Sequence, residues 1–500
     1  MKKGKVWLVG AGPGDPGLLT IKGRQVLEKA DVVLYDSLVG AGILAMIPQE
    51  ARAVNVGKRS GRHTMPQKEM NARILEESRN GNRVVRLKGG DPFLFGRGGE
   101  ELELLAENDI PFEVVPGITS AIAVPACSGI PVTHRDYSSS LHIITGHRKD
   151  GEAPDLDYHS LVKTNGTLAF LMGMAALSDI CRGLLDAGMQ PDTPAAVIQK
   201  GTTAEQKRVV AAISALPDAV KRAGIGTPAV LVVGKVCSLA DTFEWYEKLP
   251  LSGYRVLMTR PAGTGSGIAQ KLREMGAEVL EIPAIATVPI EQNRKLEEAI
   301  RNLQGYQWIA FTSPAGVRIF FEEMQSYGAD IRRLSGLKIA AIGWGTADEL
   351  KKHGLFADLI PPVYDGGTLG ERIAAEASPG DRILLPRTET GSQTILEKLK
   401  GFAVDDVPTY RTCCRDTGAV DETRMFEHGE IDCAAFTSAS GVRAFVKANP
   451  DLDCHLVKAA CIGKQTQAAA DAAGMETHCA REASADGLLE LIVQMHEGSI

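Results

Sequence analysis

The chain has 500 residues, of which 44% are hydrophobic and 23% charged, and its net charge is -7. This length is more than one hydrophobic core serves, and it indicates about three or four structural units. The acidic balance argues against non-specific binding of nucleic acid. The sequence shows neither a long apolar run nor a signal peptide, so we predict a cytoplasmic protein with no membrane partner.

The nine cysteines are odd in number and form no C-x-x-C pair. This pattern favours reduced thiols over a disulfide framework or a zinc site. The histidines His134, His142 and His147 show no metal-ligand spacing either. We therefore predict no metal site.

The first half of the chain alternates short β-rich runs with helical patterns. Runs such as VWLVG, DVVLYD and RVVRLKG precede the polar stretch THRDYSSS, after which LHIITGH, TLAFLMG and PAVLVVG begin a new series. This alternation is typical of α/β lobes. We predict one domain over residues 1–247, with lobes at about 1–136 and 141–240, followed by a linker at 248–252.

Two glycine-rich turns follow predicted strands in this domain. Gly12, Gly14 and Gly17 fit the spacing G-x-G-x-x-G, which in dinucleotide folds places a pyrophosphate on a helix N-terminus. Pro13 and Pro16 remove two N-H donors from that turn, so the glycine pattern alone is weak evidence for a phosphate site. The second turn, RLKGGDPFLFGRGGEE, indicates a ligand held between loops.

Together the runs VGAGPGDP and GGDPFLFGRGGEE resemble the tetrapyrrole methyltransferases, and among them the uroporphyrinogen-III C-methyltransferases. The resemblance covers roughly the first half of the chain. It implies a two-lobed α/β fold around S-adenosyl-L-methionine, which carries a sulfonium and no phosphate. Carried over residue by residue, it predicts cofactor contacts at Pro13, Gly89, Gly90, Asp91, Leu94, Thr119, Ser120, Met172 and Gly201.

For catalysis the same resemblance points to Asp36 as proton acceptor and Lys58 as proton donor. Methyl transfer to a pyrrole carbon needs such groups, because conjugation is restored by deprotonation and a proton shift. The alternative for Asp36 is a turn or capping residue at a strand end. The basic run around Lys58 reads either as a solvated loop or as a clamp for substrate carboxylates formed by Arg59, Arg62 and His63.

The second half contains an internal repeat. FTSPAGV at 311–317 recurs as FTSASGV at 436–442, and AAIGWGT at 340–346 recurs as ACIGKQT at 460–466. In each copy an apolar strand ends in Thr-Ser before a predicted helix, a combination that favours anions. The repeat indicates two similar half-domains.

This half resembles uroporphyrinogen-III synthase, which implies a bilobal α/β fold over 253–500, with lobe one at about 253–282 plus 413–500 and lobe two at about 290–406. The resemblance points to Tyr410 as a catalytic residue, although a tyrosine in a connector is more often structural. Arg387 could equally be a solvated surface charge. We predict substrate contacts at Arg260, Thr312, Ser313, Gly343, Thr346, Arg387, Thr437, Ser438 and Gly463.

The two resemblances predict a bifunctional enzyme of siroheme or cobalamin formation. Its substrates would be hydroxymethylbilane, cyclised to uroporphyrinogen III with inversion of ring D, and uroporphyrinogen III, methylated twice to precorrin-2. The methyltransferase resemblance also suggests a homodimer. Two alternatives stay open: a nucleotide-dependent dehydrogenase on the first glycine turn, and a non-catalytic bilobal tetrapyrrole-binding module in the second half.

Overall fold

The protein alternates helices and strands along its whole length, and the predicted α/β fold class is confirmed. Among the residues with assigned structure, no helix is long and apolar enough to cross a bilayer. The seven cysteines whose side chains are placed are all free thiols. The computed structural model describes residues 4–48, 50–57, 67–146, 156–261, 267–290, 292–414 and 419–499.

The first lobe is built on a five-stranded parallel sheet in the order β3-β2-β4-β1-β5. Its strands read as nearly continuous apolar runs because helices cover both faces of the sheet. Val9 and Val33 pack into one buried cluster and Leu8 and Leu34 into another, on opposite faces. The strands are β1 (Lys5–Gly10), β2 (Val32–Tyr35), β3 (Arg52–Asn55), β4 (Arg83–Lys88) and β5 (Phe112–Val115), and the helices are α1 (Ile21–Leu27), α2 (Ala41–Leu44), α3 (Gln67–Arg79), α4 (Gly98–Glu107) and α5 (Ser120–Cys127).

The second lobe has a mixed five-stranded sheet in the order β6-β7-β10-β8-β9. Only β6 and β7 run parallel, while β10 pairs antiparallel with both β7 and β8. Phe170 and Leu231 belong to its main buried cluster. The elements are β6 (Leu141–Thr145), α6 (Tyr158–Lys163), β7 (Thr167–Leu171), α7 (Leu177–Asp186), β8 (Pro194–Gln199), β9 (Lys207–Ala212), α8 (Leu216–Arg222) and β10 (Ala229–Val233).

The second half of the chain continues the alternation. Its strands are β11 (Arg255–Pro261), β12 (Glu278–Pro289), β13 (Trp308–Phe311), β14 (Lys338–Ala341), β15 (Arg382–Thr388), β16 (Ala403–Cys414), β17 (Cys433–Phe436), β18 (Lys458–Cys461) and β19 (Glu476–Cys479). Its helices are α9 (Gly267–Glu274), α10 (Arg294–Arg301), α11 (Pro314–Ser326), α12 (Trp344–Lys352), α13 (Gly366–Glu376), α14 (Thr394–Lys398), α15 (Glu422–Glu427), α16 (Ala439–Ala448), α17 (Lys464–Ala472) and α18 (Ala485–His496).

Contacts divide the described residues into two compact units. The first unit contains the two lobes described above, β11, the start of β12 and the chain from β17 onward. Within this unit β11 pairs parallel with β17, β17 with β18, and β18 with β19. The second contains β13 to β16 and the end of β12. There β13 runs parallel to β14 and β15, and β16 pairs antiparallel with β12. Each unit therefore has its own share of the second half.

Candidate functional site

The two glycine turns of the first lobe are bonded to each other. The amide of Gly12 donates to the carbonyl oxygen of Gly90 at 3.2 Å, and the amide of Gly90 donates to that of Gly12 at 2.8 Å. Both residues have positive φ, 76° and 68°, which glycine adopts without strain. The ends of β1 and β4 therefore open into one shared backbone surface.

Asp91 fixes the second turn. Its Oδ1 accepts from the amides of Phe93 at 2.8 Å and Leu94 at 3.2 Å, and its Oδ2 accepts from the amide of Gly117 at 3.0 Å. A Cβ atom on Gly117 would lie 2.2 Å from the carbonyl oxygen of Gly90, so these loops leave no room for a side chain there. The Asp91 carboxylate thus ties the loops after β4 and β5 together.

A cavity of about 720 Å³ opens at the carboxyl ends of β1, β2 and β4, which is where ligands bind in parallel α/β sheets. Residues from the second lobe, at the end of β7 and the start of β10, close its other side. The predicted site residues that line it are Pro13, Asp36, Gly89, Gly90, Asp91, Leu94, Thr119, Ser120 and Met172.

Asp36 lies directly after β2 with 28% of its side chain exposed. Its Oδ1 accepts from the guanidinium of Arg86 on the neighbouring strand at 2.5 Å. Arg86 is buried and also donates to the carbonyl oxygens of Leu34 and Leu87. Because the arginine is held by the backbone, it orients the Asp36 carboxylate at the wall of the cavity.

A second carboxylate lies behind this pair. Oε1 of the buried Glu101 is 2.9 Å from Nζ of Lys88 and 3.3 Å from Nε of Arg86. Burial lowers the pKa of Lys88, as does the charge of Arg86, while Glu101 and Asp36 act in the opposite direction. Two cations and two carboxylates therefore form one buried network beneath the cavity, and its charges compensate one another.

Three residues that line the cavity have left-handed backbone conformations. Phe95, Arg97 and Met172 have φ of 54°, 57° and 57°. Such conformations cost about 1–3 kcal/mol each and persist where surrounding contacts determine them. Phe95 and Met172 keep 40% and 52% of their surface exposed. Phe95 and Met172 therefore present exposed apolar side chains to the cavity from left-handed backbone positions.

Thr119 and Gly201 differ in how they relate to the cavity. Thr119 caps α5 by accepting from the amide of Ala121 at 3.3 Å. Gly201 does not line the cavity; a Cβ atom there would lie 2.4 Å from the side chain of Val124 on α5. The space beside Gly201 is thus filled by Val124, and its contact with the cofactor stays a prediction. The predicted residues Lys58, Arg59, Arg62 and His63 lie outside the described part of the chain.

In the second unit the predicted anion-binding corner lies where β13 and β14 end side by side. Ser313 caps α11 by accepting from the amide of Gly316 at 3.0 Å, and Gly343 is the residue before α12. Thr312 is half-buried and Thr346 is buried. Two helix N-termini therefore meet at one sheet edge, an arrangement that favours negative charge.

The first unit repeats this corner at the ends of β17 and β18. Ser438 caps α16 by accepting from the amide of Gly441 at 3.1 Å, and Gly463 precedes α17. Thr437 and Ser438 are exposed. A backbone hydrogen bond is repeated as well. The amide of Ile342 donates to the carbonyl oxygen of Phe311, and the amide of Ile462 donates to that of Phe436, both at 3.0 Å. The sequence repeat thus corresponds to a structural repeat.

Tyr410 distinguishes the two corners. Its hydroxyl lies 2.7 Å from that of Ser313, across 97 residues of sequence. Burial raises the pKa of Tyr410, with smaller opposing effects from the Ser313 hydrogen bond and the charge of Arg318. At the other corner the Ser438 hydroxyl meets Ser440 instead, at 3.0 Å. One corner therefore carries a buried phenol that stays protonated at neutral pH.

Arg387 is buried, with 3% of its surface exposed, and is not a solvated surface charge. Its guanidinium pairs with both carboxylate oxygens of Asp406, at 2.7 and 2.8 Å, and donates to the carbonyl oxygen of Ser392 at 2.5 Å. These contacts connect β15 to β16 and fix the turn after β15. Arg260, the other arginine predicted to contact the substrate, lies in β11.

Sequence reasoning predicted Met172 on the second-lobe wall but assigned no role to the two basic residues of β4, Arg86 and Lys88. The signal for these two was present, because Arg86 and Lys88 alternate with apolar residues on one face of a central strand. A buried cation on such a strand requires a carboxylate partner. Pro228 and Ala229, which also line the cavity, carry no comparable signal.

Two family descriptions match this chain. Residues 5–217 match the tetrapyrrole (corrin/porphyrin) methylases, and residues 266–490 match uroporphyrinogen-III synthase HemD. The porphyrin biosynthesis protein HemD of Ruminiclostridium josui is 43% identical over 502 residues, which cover the whole of both chains. The uroporphyrinogen-III C-methyltransferase of Bacillus subtilis is 42% identical over 378 residues, covering 75% of this chain and 77% of its own.

Other similar proteins match only part of the chain. The siroheme synthase of Methylobacillus flagellatus is 45% identical over 247 residues, and these cover 49% of this chain and 53% of that protein. A crystal structure of uroporphyrin-III C-methyl transferase from Thermus thermophilus, complexed with S-adenyl homocysteine, is 38% identical and covers 47% of this chain and 99% of its own, with a TM-score of 0.42. The match along the full length decides the assignment: the chain belongs to the family of tetrapyrrole biosynthesis enzymes that join a methylase to uroporphyrinogen-III synthase.

Proposed function

We propose that the chain makes uroporphyrinogen III from hydroxymethylbilane, with inversion of ring D, and then transfers two methyl groups from S-adenosylmethionine to give precorrin-2. The observation that carries the methyltransferase step is the cavity whose wall presents the Asp36 carboxylate, held by the buried Arg86. The family assignment favours this reading over a dehydrogenase on the first glycine turn.

The cavity suits S-adenosylmethionine in size and in chemistry. Its volume of about 720 Å³ falls within the range usual for small-molecule sites. The paired turns at Gly12 and Gly90 present backbone without side chains to a ligand. The N-H donor that Pro13 lacks is not needed, because the cofactor has no phosphate. When bound, the cofactor supplies a methyl group on a sulfonium. We infer that the residues that hold it are Pro13, Gly89, Gly90, Asp91, Leu94, Thr119, Ser120 and Met172, which line the cavity. Gly201 stays a predicted contact.

Asp36 is the proposed proton acceptor. Each pyrrole carbon of uroporphyrinogen III already carries a substituent, so the carbon that takes the methyl group becomes quaternary and the ring becomes a cation. The cation is neutralised by loss of a proton from a neighbouring bridging methylene, which restores conjugation, and that proton passes to the Asp36 carboxylate. Arg86 occupies one carboxylate oxygen and fixes the orientation of the group, which leaves its partly exposed side to the substrate. Lys58 as proton donor, with Arg59, Arg62 and His63 as a carboxylate clamp, stays a prediction.

The apolar opening of the cavity suits the macrocycle of the substrate. Leu38, Phe95 and Met172 all line the cavity and are 62%, 40% and 52% exposed. Apolar side chains left this open beside a polar floor mark a binding surface. We infer that they contact the ring system and exclude water from the methyl-transfer site.

For the synthase step we infer that each repeated corner, taken by itself, is a binding site for a substrate carboxylate. Each corner presents two helix N-termini at a sheet edge, and Ser313 and Ser438 cap one helix in each. The proposed contacts are Thr312, Ser313, Gly343 and Thr346 in one copy and Thr437, Ser438 and Gly463 in the other. Arg260 and Arg387 stay predicted contacts, and the ion pair of Arg387 with Asp406 joins β15 to β16.

Tyr410 is the proposed proton donor of this half. Loss of water from hydroxymethylbilane needs a proton on the departing hydroxyl, and a buried phenol with a raised pKa keeps its proton at neutral pH. Ser313 holds the Tyr410 hydroxyl in place at 2.7 Å.

A homodimer through the methyltransferase half also stays part of the proposal, and light scattering of the purified protein tests it.

The methyltransferase assignment is tested with uroporphyrinogen III as the only tetrapyrrole. Under anaerobic conditions with S-adenosylmethionine, the expected product carries two additional methyl groups in its mass spectrum, and two equivalents of S-adenosylhomocysteine form. Omission of the cofactor is the control. An unmethylated tetrapyrrole in the presence of bound cofactor would overturn the proposal for this half.

A further inference from the structure

The loop after β1, which we call the first glycine turn (Gly10–Pro16), contributes two cavity-lining residues and rests on a loop of the second lobe. That loop, the support turn, is Gly201–Gln206. The hydroxyl of Thr202 accepts from the amide of Asp15 at 3.3 Å. A Cβ atom on Gly14 would lie 2.8 Å from the Thr203 side chain. The support turn therefore packs directly against the first glycine turn.

Helix α2 holds the other side of the first glycine turn. A Cβ atom on Gly40, just before α2, would lie 2.5 Å from the carbonyl oxygen of Gly14. One on Gly42, within α2, would lie 2.5 Å from the Pro16 ring. Contacts this close leave the turn little freedom to shift unless the support turn or α2 shifts with it.

Both supports touch the synthase half within the first unit. The amide of Ala204 donates to Oε2 of Glu278 on β12 at 2.8 Å. Arg255 on β11 donates to Glu205 at 3.2 Å and to Glu278 at 2.8 Å. Arg255 is 5% exposed, and its guanidinium also donates to the carbonyl oxygen of Glu430 at 2.5 Å. A buried charge pair of the synthase half thus anchors the support turn.

Helix α2 is anchored by packing instead. Ala41 and Leu44 pack against the buried apolar cluster of the synthase half that includes Leu280, Ile282 and Phe426. Glu278, which anchors the support turn, lies on the same strand as Leu280 and Ile282. The start of one strand of the synthase half, β12, therefore reaches both supports of the first glycine turn.

The support turn has a conformation that needs outside contacts. Thr202 in the support turn has φ of 69°, and Lys200, directly before the turn, has φ of 44°. A β-branched residue in the left-handed region is strained and holds that conformation only where its surroundings impose it. Two hydrogen bonds with the synthase half supply part of that constraint: the amide of Ala204 donates to Glu278, and the carboxylate of Glu205 accepts from Arg255.

We propose that Glu278 and Arg255 of the synthase half are positioning residues for the methyltransferase, because they hold the support turn that shapes the S-adenosylmethionine site. The inference rests on the proposed cofactor site. The synthase half is then required for full cofactor affinity even when its own reaction is not running. The coupling acts on the backbone of the first glycine turn and leaves the tetrapyrrole-facing side chains in place.

The test compares Glu278→Met with the unchanged full-length protein. The affinity for S-adenosylhomocysteine, measured by calorimetry, is expected to fall about five-fold or more. The KM for S-adenosylmethionine should rise by a similar factor, while the KM for uroporphyrinogen III stays within two-fold. Glu278→Gln keeps an acceptor for the Ala204 amide and should recover part of the affinity. Glu205→Gln, which changes a partly exposed residue of the support turn, gives a second route if Glu278→Met does not fold.

Lys271→Met is the matched control, because it breaks an ion pair with Asp486 that lies within the synthase half. Its cofactor affinity should equal that of the unchanged protein. Equal affinities in Glu278→Met, Glu205→Gln and the unchanged protein would overturn the inference, as would an equal loss in Lys271→Met. If the unchanged protein itself binds no S-adenosylhomocysteine, the proposed cofactor site fails instead, so the two failures are distinguishable.

Discussion

The cavity of the methyltransferase half and the repeated corners of the synthase half are built by different kinds of contact. In the cavity, side chains are bound to one another: Asp91 ties two loops together, and Asp36 is held by Arg86 above a buried network. In the corners, a serine caps one helix N-terminus in each copy, and the Ser313 hydroxyl is hydrogen-bonded to that of Tyr410. We therefore expect single substitutions to lower activity severely at the cavity and mildly at the corners.

The largest expected effect is that of Asp36→Asn. An amide cannot accept the proton, so methyl transfer should slow by about 100-fold or more. Binding of S-adenosylhomocysteine and the synthase activity should stay unchanged, because the amide oxygen still accepts from Arg86. The measurement is steady-state methyl transfer, with Asp31→Asn, an exposed partner of Arg83, as control. Normal turnover in Asp36→Asn would remove this carboxylate from the mechanism.

Glu101→Gln tests whether the network beneath the cavity is as interdependent as its geometry indicates. Glu101 is 1% exposed and serves both Arg86 and Lys88, so its neutralisation leaves two buried cations with one carboxylate. We expect a loss of about 3 kcal/mol in the free energy of unfolding of this part of the protein. Urea denaturation measures it. Glu28→Gln, which removes an exposed pair with Arg24, should cost less than about 1 kcal/mol.

The repeated corners should respond more mildly and almost alike. Ser313→Ala and Ser438→Ala each remove one helix cap, which should cost about 1 kcal/mol of stability. Each variant should raise the KM of the synthase for hydroxymethylbilane a few-fold, since one anion-binding helix end loses its fixed geometry. A change confined to one of the two variants would show that only one corner meets the substrate.

Tyr410→Phe should have the smallest effect, a few-fold loss of synthase rate. Burial raises the pKa of this tyrosine above its usual value of about 10, so the phenol carries its proton at every lower pH. The rate ratio between the unchanged protein and Tyr410→Phe should therefore be constant from about pH 7 to 9. Rates measured across that range check it. A ratio that falls to one within the range would contradict a role as proton donor.

The difference between the two sites also explains what the sequence could predict. The glycine turns and Asp36 follow strands within short motifs, so local pattern and family resemblance were enough to place them in one cavity. The contact of Asp36 with Arg86 depends on β2 lying next to β4, and the contact of Ser313 with Tyr410 joins residues 97 apart. Neither contact follows from local spacing.

Two further predictions show the same limit. Gly201 belongs to a motif of the family, and its missing side chain leaves room for Val124 of α5, a contact that local spacing does not predict. Arg387 reads from sequence as a substrate contact or a surface charge; it is buried, and Asp406 from the adjacent strand pairs with it. Tertiary structure supplies both of these neighbours.

The most direct test of the account is anaerobic incubation of the full-length protein with hydroxymethylbilane, with and without S-adenosylmethionine, followed by isomer analysis and mass spectrometry. The account predicts the type III isomer alone without cofactor and a gain of two methyl groups with it. A predominant type I isomer with no methylation would mean that the bilane closed spontaneously, and it would contradict both proposed activities.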